Sequence, residues 1–431
     1  AAQAASSNAS SASYWLSQQL TNGIASYKYE YDGEVYSTDD VGLTIDVLQA
    51  FVDTDTQTAK QQTILDALED RVDSYTSAGG TGKLITAVQG AGEEPRLFGG
   101  VNLVERLEDK LVTSGAEAGR AVDSPDYSST LTQALAVRGL SVANSTDEAA
   151  SATSYLLKQQ CADGGFRESM FAEATPDTNP SDGFDDSVSA VDRTCGDSAT
   201  SGDDKETVDT TAIAIQALLE ANISAEVPGT VERAEKAADY LLKQQTTAGS
   251  FRNDGKSNAN STGLAAAALW ATGHEAAADR AAAWLVKRQV TKASSVGTQL
   301  TGELGAVAFN DEALANAKLD GIEDLDRGQF IRATSQALAG LDKLLGAKTL
   351  KVTPKYASRP RSAQQLVTVT GLKAGEQVTV YTLGKTLKGT ASSTGSWSVR
   401  FTVGTSLGKK VVRAFGQNAK RVGESSFTVV K

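Results

Sequence analysis

Histidine is almost absent from this chain, cysteine nearly so, and no long apolar run exists. There is one histidine, His274, and there are two cysteines, Cys161 and Cys195, in 431 residues. Two thiols and a distant imidazole do not complete a zinc site, so a metal centre of that kind is excluded. The cysteines suit one disulfide in an oxidising compartment, closing a loop of about 34 residues. The apolar stretches are Ala-rich and interrupted, short of the roughly 20 residues a membrane-spanning helix needs.

What is present suits two domains, one of them large enough to bury a substantial core. Ala1–Ser13 is an Ala/Ser tract, read as a flexible start exposed by removal of a signal peptide. The protein is therefore expected outside the cell or at its surface. The net charge of −12 is unevenly spread: residues 347–431 hold fifteen Lys/Arg against Glu376 and Glu424, a balance of +13, leaving −25 elsewhere.

Residues 14–346 are repetitive. Tyr14–Gln19, Tyr155–Gln160, Tyr240–Gln245 and Trp284–Gln289 share an aromatic followed by Leu and ending in Gln. Gln160 leads to Gly164 and Phe166, and Gln245 to Gly249 and Phe251, a Gln-x-x-x-Gly-x-aromatic turn at a helix end. A second helix type follows, aligned on Asp39, Gly79, Asp126, Asp209, Asn260 and Gln329. Three positions on, Gly42, Gly82, Ser129, Ala212 and Gly263 are small, with Arg332 the exception. These helices are apolar nearly all round, which places them inside. The first type is amphipathic, as in Val231–Gln245, and lies outside.

The turns and paired helices resemble the prenyltransferase/squalene-cyclase repeat superfamily. That resemblance implies an (α/α)6 toroid of six helix pairs. Activity does not follow from it. The nearest string to the Asp-x-Asp-Asp motif of the cyclases is Asp53-Thr54-Asp55-Thr56, which lacks the last Asp. The Asp/Cys/His zinc set of protein prenyltransferases is missing, and so is the thioester motif of complement-type toroids.

Connections from outer to inner helix are the long ones: Thr21–Thr38, Cys161–Val208 and Val290–Gly328. They gather on one rim, where the inner helices also point their N-termini and where a site is expected. Asp39, Asp126, Asp209 and Asn260 are expected to be N-caps there. Seven residues past the aligned positions stand Asp46, Thr86, Gln133, Gln216, Ala267 and Gln336. Asp46, Gln133, Gln216 and Gln336 either line the central cavity as ligand contacts or hydrogen-bond neighbouring helices. Tyr27, Tyr29 and Tyr31, with Tyr36, alternate like a hairpin at the mouth, suited to stacking on a sugar or to packing over the ring. Segment Cys161–Val208 carries twelve Asp/Glu. Within it Asp182, Asp185 and Asp186 offer hard oxygen ligands for calcium without EF-hand spacing, and no other cofactor is implied.

From Thr349 the period changes to two. Seven short strands with Gly turns predict an immunoglobulin-like β-sandwich over 347–431, similar to modules on bacterial surface proteins. Its positive charge suits docking on its own toroid, an anionic cell-wall polymer, or the acidic toroid of a neighbouring molecule in a head-to-tail assembly. Nucleic acid would be repelled by the toroid. The missing motifs favour a non-catalytic extracellular binding or assembly protein. Two alternatives stand beside it: a ligand carrier with the architecture of the cobalamin carriers, and a toroid enzyme acting on carbohydrate or isoprenoid substrates.

Overall fold

The computed structural model describes residues 7–126, 128–170, 194–195, 206–224, 227–342, 350–416 and 422–431. The chain divides into two compact units, one of Ala5–Trp270 with His274–Leu345, the other with Gly346–Lys431 as its body.

The first unit alternates outer and inner helices. The outer ones are α1 (Ser7–Gln18), α3 (Thr58–Glu69), α5 (Leu103–Glu108), α7 (Thr146–Lys158), α9 (Thr230–Gln244) and α11 (Glu275–Val286). The inner ones are α2 (Val41–Thr54), α4 (Ala78–Ala91), α6 (Thr130–Val142), α8 (Val208–Ser224), α10 (Ala259–Ala271) and α14 (Arg327–Asp342). Outer helix α9 buries Val231, Ala234, Ala238 and Leu241 on one stripe and exposes Glu232, Lys236 and Asp239 on the other. Inner helix α8 buries Ala212, Ala214, Ile215, Ala217, Leu218 and Leu219, because it is covered by ring neighbours and by the outer layer.

The inner ring closes contact by contact. Lys83 and Asp46 pair at 2.6 Å between α4 and α2, and Arg138 and Glu220 make a buried two-pronged bridge at 2.8 and 2.9 Å between α6 and α8. Asp209 on α8 lies beside Ser261 on α10. Arg332 on α14 reaches Asp40, just ahead of α2, at 3.3 Å. A Cβ on Gly82 would overlap the Leu135 carbonyl of α6, and one on Gly263 the Gln336 carbonyl of α14. Small residues thus permit the closest inner-helix approaches.

A repeated staple joins inner and outer layers. Gln160 Nε2 donates to its own turn at Gly164 O (2.9 Å) and to Arg233 O of the next outer helix (2.9 Å). Gln245 does the same with Gly249 O (3.0 Å) and Ala277 O (2.8 Å). Gln289 reaches Gly305 O and Asn8 O, so the last turn fastens onto the first helix. The backbone N–H two residues past each turn glycine is also used. Those of Ala25, Phe166, Phe251 and Val307 donate to Thr44, Thr211, Thr262 and Thr334 at 2.9–3.0 Å.

Ala1–Ser13 is therefore not a flexible start throughout. Helix α1 begins at Ser7, and Ala9, Ala12 and Ser13 are buried because this segment completes the outer ring.

Long connections hold the small elements. They are β1 (Leu20–Thr21), β2 (Ile24–Tyr31), β3 (Glu34–Asp39), β4 (Arg252–Asn253), β5 (Lys256–Ser257), α12 (Lys292–Ser295) and α13 (Asp311–Asp320). The Cys161–Cys195 disulfide, with Cα atoms 5.0 Å apart, also lies in such a connection. Opposite connections are as short as 55–57, 143–145 and 272–274. Among the described residues no helix is long and apolar enough to cross a membrane.

The second unit contains β6 (Lys351–Pro354), β7 (Ser358–Pro360), β8 (Gln364–Thr370), β9 (Gln377–Thr382), β10 (Lys385–Thr390), β11 (Ser396–Thr402), β12 (Gly408–Phe415) and β13 (Val422–Val430). One sheet runs β10-β9-β12-β13-β7 and the other β11-β8-β6. Val352, Val367, Val369, Val380, Phe401, Val412 and Phe427 belong to their shared core. The two sheets thus form a β-sandwich around one apolar core. Strand β7 is the one the alternation does not reveal; its three residues end in Pro360, tolerated because β7 is an edge strand.

Candidate active site at the inner-helix N-termini

The true caps differ from those the alignment suggests. Asp40 Oδ1 accepts from Leu43 N (2.8 Å), Ser77 Oγ from Gly80 N (3.1 Å) and Ser129 Oγ from Thr132 N (3.2 Å). Thr207 caps α8 and Asn258 caps α10. Asp39 instead pairs with Arg71 at 3.1 Å, and Asp126 with Arg120 at 2.6 Å. Burial works against ionisation of Asp126, but Ser128 and Arg120 hold its carboxyl below the usual range.

Asp209 and Asn260, freed from capping, lie in the first turns of neighbouring inner helices. Asp209 Oδ1 and Asn260 Oδ1 are buried atoms without a hydrogen-bond partner. Burial pushes the Asp209 pKa up, a hydrogen bond with Ser261 draws it back in part, and the charges of Glu168 and Asp254 push it up further. A helix N-terminus favours a carboxylate; here desolvation and two like charges win. The result is a carboxyl that ionises less readily than usual, near two exposed carboxylates.

The β2–β3 hairpin stands over α2 and α14 on the same rim. Asp40 N donates to Ala25 O at 2.8 Å, and Lys28 pairs with Asp324 ahead of α14. A Cβ on Gly328, in the first turn of α14, would come within 2.8 Å of Tyr27 Cβ. Tyr29 faces Tyr36 across the strands, their rings stacked at 5.6 Å, and Tyr27 lies 6.1 Å from Tyr29. Tyr27, Tyr29 and Tyr31 thus share one exposed face.

The polar column of the inner helices divides. Gln133 is fully buried and spent on Ala121 N, Gly119 O and Ala152 O, so its reading as a ligand contact is corrected. It does the work of both the threonine and the glutamine staple. Asp46 is engaged by Lys83, Gln216 is buried, and Gln336 is half-buried with Oε1 unpartnered. Asp182, Asp185 and Asp186 lie outside the described residues. Among the described residues, Cys161, Cys195 and Glu206 have metal-like spacing, but both sulfurs are in the disulfide.

No family model matches the chain, and no curated protein matches it. Solved structures do. An α-1,6-mannanase from Salegentibacter is 12% identical with a TM-score of 0.56, over 79% of this chain and 98% of that one. Its inactive variant, with two adjacent aspartates changed to asparagine, in complex with α-1,6-mannotriose, gives 12% identity and a TM-score of 0.50 over 78% and 99%. A type II terpene cyclase from Scytonema is 13% identical with a TM-score of 0.51 over 79% and 97%. An unsaturated glucuronyl hydrolase specific for heparin is 12% identical with a TM-score of 0.51 over 79% and 96%. The class these likenesses and the helix ring define is the α/α toroid, here followed by a β-sandwich.

Proposed function

We propose that the toroid is a carbohydrate-cleaving enzyme whose general acid is Asp209. The observation that carries this reading is the Asp209 carboxyl: buried at one oxygen, unpartnered there, raised in pKa and flanked by Glu168 and Asp254. Acid-catalysed glycoside cleavage needs such a pair of carboxyls in unlike environments. Asp209 would give its proton to the departing glycosidic oxygen. Glu168 or Asp254, ionised, would attack the anomeric carbon or take a proton from the water that does.

Two of the similar toroids act on carbohydrate, and one loses activity when aspartates are replaced. A half-buried carboxyl that resists ionisation suits catalysis better than a scaffold, so the enzyme reading is preferred. The isoprenoid reading is weaker. Asp55 is the C-cap of α2, at the opposite rim from Asp209.

The sandwich's charge supports a second role, holding the enzyme at an anionic cell-wall polymer or against the acidic toroid of another copy. The disulfide is compatible with an extracellular setting.

The test is release of reducing ends from a panel of neutral and uronic polysaccharides between pH 4 and 8. The expected result is release from at least one of them by the wild type, and release slower by about a hundredfold or more by Asp209→Asn. Silence of the wild type across the whole panel contradicts the reading.

A further inference from the structure

Four tyrosines stand exposed on one short hairpin, although aromatics are only 6% of the chain. Tyr27, Tyr29, Tyr31 and Tyr36 are 38%, 43%, 71% and 45% exposed. A two-stranded hairpin gains little from leaving large rings in water, and rings at every second residue of β2 make a continuous surface rather than a core. The Lys28–Asp324 pair and the close fit of Tyr27 over Gly328 fasten that surface to α14. The platform is therefore held in place before any ligand arrives, which lowers the ordering cost of binding.

The charges around it select the ligand. Around the hairpin, Lys28 is committed to Asp324, Arg71 to Asp39, Arg332 to Asp40 and Arg327 to Glu303, whereas Arg252 and Lys256 ahead of α10 stand exposed. The chain before the sandwich carries −25 in all. A polymer with a carboxylate or sulfate on each sugar would meet paired cations around the hairpin and a repulsive field. An uncharged pyranose chain has no such penalty, and its apolar C–H faces suit flat aromatic rings.

We infer that the Tyr27-Tyr29-Tyr31-Tyr36 face is a subsite for a linear neutral glycan, and so that the substrate is uncharged. This deepens the hydrolase reading and rests on it for the word substrate, but the binding itself does not. The platform lies over α2 and α14, whereas Asp209 and Asn260 are on α8 and α10. It would grip sugar units away from the bond being cut.

The experiment measures binding by the full-length Asp209→Asn protein, by calorimetry, to five- or six-residue mannan, glucan and chitin oligosaccharides. Heparin and polygalacturonate oligosaccharides of matched length serve as charged probes. At least one neutral series is expected to bind, with the charged series tenfold weaker or absent. Tyr29→Ala and Tyr31→Ala are expected to weaken binding by about tenfold each, and Tyr29→Phe to retain it. Tyr31 is so exposed that its removal leaves folding intact, which the melting curve checks. Binding that survives both alanine changes overturns the proposal, as does preference for the charged series or no binding at all. Neutral-glycan binding without hydrolysis by the wild type would leave this platform standing while sinking the hydrolase.

Discussion

A carboxyl that is hard to ionise costs stability at neutral pH, and Asp209 carries that cost in the first turn of α8. Its pKa in the folded chain is raised, so the folded state holds its proton more tightly than the unfolded one. The stabilisation from this group is complete below about pH 3.9 and is lost as pH rises through the raised value. Asp209→Asn, which does not ionise, is therefore expected to be more stable than the wild type at pH 8, the gap closing toward pH 4; denaturant midpoints across that range check it. The sequence placed Asp209 at the rim of the long connections but gave it a capping role. Thr207 holds that role instead, and no pattern along one chain reveals that Glu168 and Asp254 stand near enough to act on Asp209.

Between elements, the device that holds the toroid is the glycine turn with its glutamine. Gly249 has φ +93°, and any Cβ there would collide with the Arg280 carbonyl of α11. Gly229 has φ +81° with nothing around it. Gly249→Ala is expected to cost about 2 kcal/mol or more, from strain plus collision, and Gly229→Ala about 1 kcal/mol from strain alone. Urea titration separates them, and equal losses would mean that the turn does not pack as described. The Gln-x-x-x-Gly spacing made the turns legible at Gly164 and Gly249. The threonine column was not legible, because aligning the helices on Asp39, Asp209, Asn260 and Gln329 mixes two registers one helical turn apart. Counted from those residues, Thr44 and Thr334 fall five positions on, Thr211 and Thr262 only two. Hydrogen bonds from the turns, rather than composition, fix the register. The buried Arg138–Glu220 bridge gives a second check on the ring. Arg138→Met leaves Glu220 buried without that counter-charge and is expected to cost about 3–5 kcal/mol. Adding Glu220→Leu should restore most of it, as thermal melts of the three variants would register.

On the scale of the whole molecule, the sequence announces two units of opposite charge, and the structure gives each its own architecture. The +13 of residues 347–431 predicts retention on a teichoic-acid-type polyanion at 50 mM salt and release by several hundred millimolar, the charges being screened as salt rises. Light scattering at low and high salt on the protein alone tells whether the same charge also joins copies to one another. Fold class was open to reading because ring architecture follows from helix periodicity. The candidate site was not, because it lies where two helix ends meet. The central claim, that Asp209 is the general acid of a carbohydrate-cleaving toroid, is tested most directly by the pH–rate profile of the wild type and Asp209→Asn on one cleaved polysaccharide. The account predicts a wild-type rate that persists above the ordinary carboxyl range and then falls as Asp209 ionises. It predicts a variant slower by about a hundredfold or more. A variant with the wild-type rate and profile would contradict it.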